Sequence, residues 1–301
     1  REDIMRINKK SLNFFAFTSP WTIGFVFLTV IPILSSLLIS FMEWDVLSVP
    51  RWAGLANYKD IFKDPLFYKS LKVTISYTLL SVPTQVIISL FVALLLNSDI
   101  KNMNVYRTIY YLPAVVSGVV VSLLWAWMFN PEFGLLNNIL SIFRIQGPQW
   151  IYDENWVLPS LVIMSIWGIG GGIIIYLSGL QSIPTQLYEA AKIDGANFFQ
   201  KLINITIPGM SPILLFSVLT SIIGSLQTFT QAYVMTDGGP NHSSLFYAFY
   251  VYKHAFVWHE MGKACALAWI LFIVIFSISI LVLKLSSSKV YYEAKEGGEI
   301  V

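Results

Sequence analysis

The chain has 301 residues, of which 56% are hydrophobic and 12% are charged, and its formal net charge is +2. Average soluble domains contain about 25% charged residues, so this composition excludes an ordinary water-soluble fold. The basic residues lie mainly beside apolar runs, so we expect no nucleic-acid-binding surface. Cys265 is the one cysteine, which excludes a disulfide within the chain.

Six apolar runs follow one another, and each can supply the roughly 20 residues that cross a bilayer as a helix. They lie at 14–42, 71–96, 108–129, 156–180, 212–235 and 264–283. We therefore predict an all-α integral membrane protein with six transmembrane helices. Its predicted organisation is a basic N-terminal segment at 1–13, a first transmembrane helix with an outer amphipathic loop at 14–70, a five-helix core at 71–285 and a tail at 286–301.

The distribution of Lys and Arg predicts the orientation, because cytoplasmic flanks carry an excess of these residues. The short connection 97–107 is basic, whereas 130–155 has one Arg against Glu132, Asp153 and Glu154. Five basic residues within 51–72 argue mildly in the opposite direction. We predict that both termini are cytoplasmic.

The middles of the five runs after Leu71 contain no Asp, Glu, Lys, Arg or His. A carrier driven by protons or sodium usually keeps such a residue at membrane depth, despite a cost of about 2.5–3.5 kcal/mol. An intramembrane enzyme would need a nucleophile with a base, or a metal cluster, at that depth. The apolar runs supply neither, so we expect the energy source to lie outside the bilayer. A passive channel is a further alternative.

A polar segment at 182–209, here called the EAA segment, separates the fourth and fifth runs. Ser182 ahead of Pro184 predicts a cap and the start of a helix near Thr185. Gly195 is expected to end that helix with a positive φ, and a second helix is expected at about 197–205, before re-entry at Pro208. Two short helices at an angle would form a knob that suits a cleft on a partner protein. The alternative is an interfacial helix pair that touches lipid headgroups, which would favour Lys and Arg on its polar face.

Written out, residues 188–208 read YEAAKIDGANFFQKLINITIP. This segment resembles the cytoplasmic coupling loop in the membrane subunits of ATP-binding-cassette (ABC) importers. Further motifs resemble the MalF-like permeases of carbohydrate importers, over about residues 55–285. These motifs are Tyr111-Leu112-Pro113, Phe129-Asn130 with Gly134 and Asn137, Leu180-Gln181-Ser182-Ile183-Pro184, Thr236-Asp237-Gly238-Gly239-Pro240 and YVYKHAF at 250–256.

The resemblance implies a type I importer (MetI-like) permease fold with a cytoplasmic coupling helix. It also implies that the chain is a multi-pass subunit in the plasma membrane of a prokaryote. The subunit would import a sugar, in particular an oligosaccharide, by alternating access. The alternative solute is a polyol or a glycerol-phosphate-type compound. The sequence has no Gly-x-x-x-x-Gly-Lys-Ser/Thr motif. We therefore expect no enzymatic activity and no cofactor in this chain, with ATP and Mg bound by a partner.

The resemblance further implies the partners and the site residues. The partners would be an ATPase dimer, a second MalG-like permease, an extracytoplasmic sugar-binding protein, the sugar and membrane lipid. Coupling to the ATPase would involve Glu189, Ala190, Ala191, Asp194, Gly195 and Pro208. The sugar-binding positions fall on Ala114, Gly118, Met164, Trp167, Gly168, Gly171, Ser225 and Thr228, and Gln227 offers a further amide.

These substrate positions have simpler structural interpretations. The glycines at 168 and 170–172 could serve helix packing, and Ser225 and Thr228 could bond to carbonyls of their own helix. Trp167 could be an ordinary core or lipid-facing aromatic residue. The sequence 236–240 is expected to form a turn. His242, His254, His259 and Glu260 could in principle hold a metal, but we expect solvated loop residues and no metal site.

Overall fold

The computed structural model describes residues 2–97 and 103–286. These residues are mostly helical, with a single two-stranded antiparallel ribbon among them, in which β1 (Met42–Glu43) pairs with β2 (Arg51–Trp52). The chain divides into two compact units, the first comprising Arg1–Asp64 with Val251–Leu271 and the second Pro65–Tyr250 with Phe272–Val301.

Fifteen α-helices lie in the described residues. In chain order they are α1 (Glu2–Phe25), α2 (Ile31–Ser40), α3 (Ala56–Ile61), α4 (Pro65–Leu96), α5 (Met103–Val115), α6 (Gly118–Met128), α7 (Leu135–Ile142), α8 (Val157–Trp167), α9 (Gly170–Ser182), α10 (Thr185–Ile193), α11 (Phe198–Lys201), α12 (Ile207–Gly209), α13 (Ser211–Leu226), α14 (Tyr247–Tyr252) and α15 (Met261–Ser286).

Within residues 2–97 and 103–286, three helical stretches are long and apolar enough to cross a membrane without interruption, at Asn13–Ser40, Pro65–Leu96 and Met261–Ser286. Three further spans are bent pairs of helices. The angles are 96° between α5 and α6, 52° between α8 and α9, and 71° between Phe198–Gly209 and α13. Six spans result when each bent pair counts as one, in agreement with the six predicted transmembrane helices.

The interruptions follow from residues that do not continue a helix. Pro113 lacks an N–H group and precedes the break at Val116 and Ser117, and Gly168 follows the end of α8. The fifth run was predicted as one span over 212–235. In the structure α13 ends at Leu226, the chain leaves the helix at Gln227, and a short π-helix follows at Ala232–Thr236.

In the first unit, a buried asparagine joins the end of the first span to the short helix α3. The Nδ2 group of Asn57 donates hydrogen bonds to the carbonyl oxygens of Ser40 (2.9 Å) and Met42 (2.8 Å). The hydroxyls of Tyr58 and Ser40 lie 2.8 Å apart. Gly262 allows a close approach here, since a Cβ atom at this position would lie 2.0 Å from the Met42 oxygen.

The second unit is organised around α4, which packs against α8, α9 and α13. One apolar core lies at the end of this unit that is nearest the EAA segment. Its buried members are Val92, Ala93, Leu96, Ile173, Tyr176, Leu177, Leu180, Ile183 and Met210. Helix α5 packs against α9, and Gly170 permits that approach because its added Cβ would come within 2.5 Å of the Tyr110 carbonyl oxygen.

The motif at 129–137 builds a loop. The Asn130 side chain accepts hydrogen bonds from the N–H groups of Glu132 and Phe133. The Asn137 amide donates to the Pro131 carbonyl and accepts from the Trp150 indole at 2.7 Å. The residues at 236–240 form the expected turn, with Asp237 and Gly238 at positive φ.

Candidate functional site

A cavity of about 350 Å³ lies within the second unit. This volume falls in the range of about 300–1,000 Å³ that is usual for small-molecule sites. Three helix interruptions meet at its wall, which contains Val116 between α5 and α6, Gly168 after α8 and Thr228 after α13. Non-helical backbone at membrane depth is tolerated where it lines a cavity or is buried in protein. The two bends at α5–α6 and α8–α9 and the end of α13 therefore locate this cavity as a candidate solute site.

Seven of the nine predicted substrate residues line this cavity. They are Ala114, Gly118, Met164, Trp167, Gly168, Ser225 and Thr228. Gly171 and Gln227 are not on its wall: Gln227 is exposed, and an added Cβ on Gly171 would meet no atom within 4 Å. Contact of any of these residues with a solute stays a prediction.

The structure distinguishes several of the alternative interpretations. Gly170 serves packing, whereas Gly168 lines the cavity. The Ser225 hydroxyl lies 3.0 Å from the Ile222 carbonyl oxygen and 3.0 Å from the Thr78 hydroxyl, so it bonds locally as well as across to α4. Trp167 is 53% exposed and meets Trp125 in an edge-to-face contact, which leaves a ring face accessible.

Other cavity residues were missed from the sequence. The polar ones are Tyr77, Gln85, Ser165, Ser221 and Gln231. A signal for Gln85 was present, because it belongs to a polar series with Thr78, Ser81 and Ser89 that recurs every three or four positions in an apolar run and so shares one helix face. No Asp, Glu, Lys, Arg or His is among the described residues that line the cavity.

The EAA segment folds as α10 and a second helix, Phe198–Gly209, in which a π-helical stretch at Leu202–Thr206 joins α11 to α12. Helix α10 begins at Thr185, as expected, and Gly195 follows it with a φ of 75°. Asn197 caps α11 in a reciprocal pair with Gln200, in which each side chain accepts from the other residue's N–H. The expected cap at Ser182 is wrong, because the Ser182 hydroxyl donates to the Gly179 carbonyl at 2.8 Å and so closes α9.

The predicted coupling residues lie at the surface of this segment. Glu189, Ala190, Asp194 and Gly195 are exposed, and Ala191 and Pro208 are partly buried. Large apolar side chains stand beside them, with Ile193 at 87%, Phe198 at 61% and Phe199 at 69% exposure. Helical spacing in the sequence places Ile193 on a narrow apolar face of α10, whereas Phe198 and Phe199 were not predicted to contribute to this surface. Their exposure gives the knob an apolar surface.

The EAA segment is attached to the apolar core of the second unit. The Tyr188 hydroxyl on α10 lies 2.9 Å from the hydroxyl of Thr206, which belongs to the return segment, the helix Phe198–Gly209 that leads back to the fifth span. Tyr188 and Ile205 pack against the core that contains Ile183 and Met210. The EAA segment is therefore packed onto the core that α4, α9 and α13 form or adjoin.

His254 in the first unit corrects a further expectation. It is buried rather than solvated, and its Nδ1 lies 2.7 Å from Oε2 of Glu260. The other carboxylate oxygen of Glu260, Oε1, accepts a hydrogen bond from Lys263 at 2.8 Å. Burial lowers the pKa of His254, although its contact with Glu260 acts in the opposite direction. Burial also raises the pKa of Glu260, but hydrogen bonds from Lys263 and His254 outweigh this effect and lower it. Among the described residues, no group of three or more His, Cys, Asp or Glu side chains is placed to hold a metal ion.

Comparisons with known proteins agree with this architecture. Residues 64–288 match the family described as "Binding-protein-dependent transport system inner membrane component". The chain is 38% identical to the probable ABC transporter permease protein YesP of Bacillus subtilis, over 96% of this chain and 95% of that protein. It is 32% identical to the arabinooligosaccharides transport system permease protein AraP of the same organism, over 91% and 88% of the two chains.

Solved structures show the same fold. A chain of a bacterial ABC transporter involved in the import of the acidic polysaccharide alginate superposes with a TM-score of 0.82, at 21% identity, over 95% of this chain and 99% of that one. The predicted type I permease fold is therefore confirmed. This chain belongs to the family of binding-protein-dependent transport system inner membrane components.

Proposed function

We propose that this chain is a permease subunit of an ATP-driven importer for a neutral oligosaccharide. Solutes would cross through the cavity at the helix bends by alternating access, and ATP with its Mg would be bound by separate ATPase subunits. In this proposal both termini are cytoplasmic. The EAA segment then faces the ATPase, and an extracytoplasmic binding protein delivers the sugar from the opposite side.

The observation that most supports coupling is the surface of the EAA segment. Ile193, Phe198 and Phe199 expose apolar side chains in the same segment as the exposed side chain of Glu189. Exposed apolar surface bordered by polar groups marks protein interaction sites, and a carboxylate adds charge-assisted hydrogen bonds to a partner. The Tyr188–Thr206 contact fixes α10 to the return segment, so movement of a bound partner would reach the cavity helices.

The chemistry of the cavity wall supports a neutral sugar. Trp167 can stack on a sugar ring, and Thr228, Ser221 and Gln231 carry hydroxyl or amide groups that pair with sugar hydroxyls. An anionic solute would favour an Arg or Lys partner, which the described wall does not contribute. A relative is a permease for arabinooligosaccharides, which supports the oligosaccharide class. A polyol or glycerol-phosphate-type solute is the second candidate.

The first experiment purifies the chain from its native membrane under mild conditions. We expect an ATPase and a second, different permease to copurify, and we expect ATP-dependent uptake of one or more neutral oligosaccharides in proteoliposomes supplied with the binding protein. Uptake by this chain without any nucleotide-hydrolysing partner would refute the proposal. Preferential uptake of glycerol phosphate would favour the second candidate.

The second experiment tests the EAA segment through Gly195. Its φ of 75° strains a side chain other than glycine by about 1–2 kcal/mol, although an added Cβ would meet no atom of the chain within 4 Å. We expect Gly195→Val to reduce uptake and sugar-stimulated ATP hydrolysis at least several-fold. Gly195→Asn is the matched control, because asparagine tolerates positive φ, and it should retain most of both activities. Full activity of the valine variant would contradict the coupling role.

A further inference from the structure

Gln85 on α4 lies where two cavities of the second unit meet. It lines the central cavity and also a neighbouring cavity of about 90 Å³. The smaller cavity is also lined by Ser89, Tyr176 and Ser217. Gln85, Gly168 and Ser221 belong to both walls. The residues of the smaller cavity lie further along α4, α9 and α13 toward the EAA segment, so it is the next polar space on that side.

One face of α4 is polar along most of its length. The residues on this face are Ser70, Thr74, Thr78, Ser81, Gln85 and Ser89, which recur every three or four positions. The first three satisfy their hydroxyls by donating to the carbonyls of Phe67, Ser70 and Thr74 within the same helix. Gln85 has a longer side chain and is only partly buried.

The carboxamide of Gln85 offers two donor hydrogens and an acceptor oxygen. Among residues 2–97 and 103–286 it makes no hydrogen bond. A polar amide inside a membrane protein is costly unless it is hydrogen-bonded. Its position on two cavity walls indicates that its partners are molecules that enter the cavities.

We infer that Gln85 contacts the transported sugar and helps to set which pattern of hydroxyls is accepted. This inference rests on the proposed function and adds a residue from α4, whereas the substrate positions implied by the family resemblance lie on other elements. The smaller cavity has the volume of about three waters, which suits a hydroxymethyl group or a hydrated hydroxyl. Gln85 lines both cavities. Its amide can therefore stay hydrogen-bonded to the sugar while the sugar moves from the central cavity toward the EAA segment.

The test compares Gln85→Leu, Gln85→Asn and the control Thr84→Val in the complete transporter with its binding protein. Thr84 is the adjacent residue, its hydroxyl bonds to the Leu80 carbonyl at 2.7 Å, and it lines neither cavity. Uptake kinetics are measured for a panel of neutral oligosaccharides that includes pairs differing at a single hydroxyl. Complex assembly and basal ATP hydrolysis are measured on the same preparations.

We expect Gln85→Leu to raise KM for the preferred sugar by about three- to tenfold, the effect of losing one hydrogen bond between neutral groups. It should also change the order of preference within the panel, while assembly and basal ATP hydrolysis stay normal. Gln85→Asn should recover part of the loss, and Thr84→Val should behave as wild type.

Unchanged KM and preference in Gln85→Leu would overturn the inference, and so would an equal loss in Thr84→Val. Failure of both Gln85 variants to assemble would indicate a structural role and would also overturn it. In each of these cases the wild-type complex still transports sugar, so the proposed function stands. A wild-type complex that transports no sugar in the panel would instead contradict the proposed function.

Discussion

Replacing Gly170 with alanine is expected to destabilise the packing of α9 against α5. The new Cβ would lie 2.5 Å from the Tyr110 carbonyl oxygen and 2.9 Å from the Tyr111 Cα. Ordinary contacts begin at 3.4 Å, so the two backbones would have to separate by about 1 Å (3.4 − 2.5 Å). Overpacking commonly costs about 1–3 kcal/mol. We expect the upper part of that range, because backbone atoms yield less readily than a flexible side chain.

The assay is thermal melting of the purified protein in detergent, with folded material measured by size-exclusion chromatography after heating. A loss of about 2–3 kcal/mol corresponds to a fall in Tm of roughly 4–12 °C, at about 2–4 °C per kcal/mol. Gly171→Ala is the matched control, since its Cβ would meet no atom within 4 Å. Alanine is also the better helix former by about 1 kcal/mol, so this variant should melt at or above the wild-type temperature.

Two results would refute this reasoning. Melting of Gly170→Ala at the wild-type temperature would show that α5 and α9 do not approach as closely as described. An equal loss in Gly171→Ala would show that glycine in this helix is needed for something other than packing. Either result would favour solute binding over helix packing as the role of the glycines at 168 and 170–172.

Two further predictions concern the first unit. Asn57→Leu removes the donors to the Ser40 and Met42 carbonyls, so the free energy of unfolding should fall by about 1–3 kcal/mol. The fall is measured as a lower Tm. The control Lys59→Ala replaces an exposed side chain and should change Tm little. Burial lowers the pKa of His254 in the folded chain, whereas the same side chain has its usual pKa of about 6.5 in the unfolded chain. As the pH falls below about 6.5, the unfolded chain therefore binds this proton more readily than the folded chain does, and the folded state loses stability. Wild-type Tm should therefore fall more between pH 7.5 and 5.5 than that of His254→Gln, and equal falls would contradict this assignment.

Much of the fold could be predicted from the sequence because the bilayer imposes length and polarity on every span. The positions of α10 and of Gly195 also followed from the residues, since glycine accommodates positive φ without steric cost. The bends in three spans were not predicted. A helix with Pro113 or Gly168 can continue with a kink or break completely, and the packing of neighbouring helices selects between these outcomes.

The candidate site divides in the same way. Resemblance brought seven of its eight substrate positions to one cavity wall, because aligned motifs place residues on the correct elements. Resemblance did not indicate Gln85, whose role depends on what α8, α9 and α13 leave open beside it. His254 was placed wrongly for a related reason, since a loop residue is buried or solvated according to the distant elements that pack on it.

The sequence by itself determined that this protein is a helical membrane protein with one polar helical segment between its fourth and fifth spans. Local rules were sufficient for that, because hydropathy, caps and glycine conformations act within a few residues of the chain. Only the tertiary structure decided where the helices break, which glycine is a packing contact and which polar side chains face a cavity. Those properties depend on atoms far apart in the sequence, such as Gly170 against Tyr110 and Ser225 against Thr78.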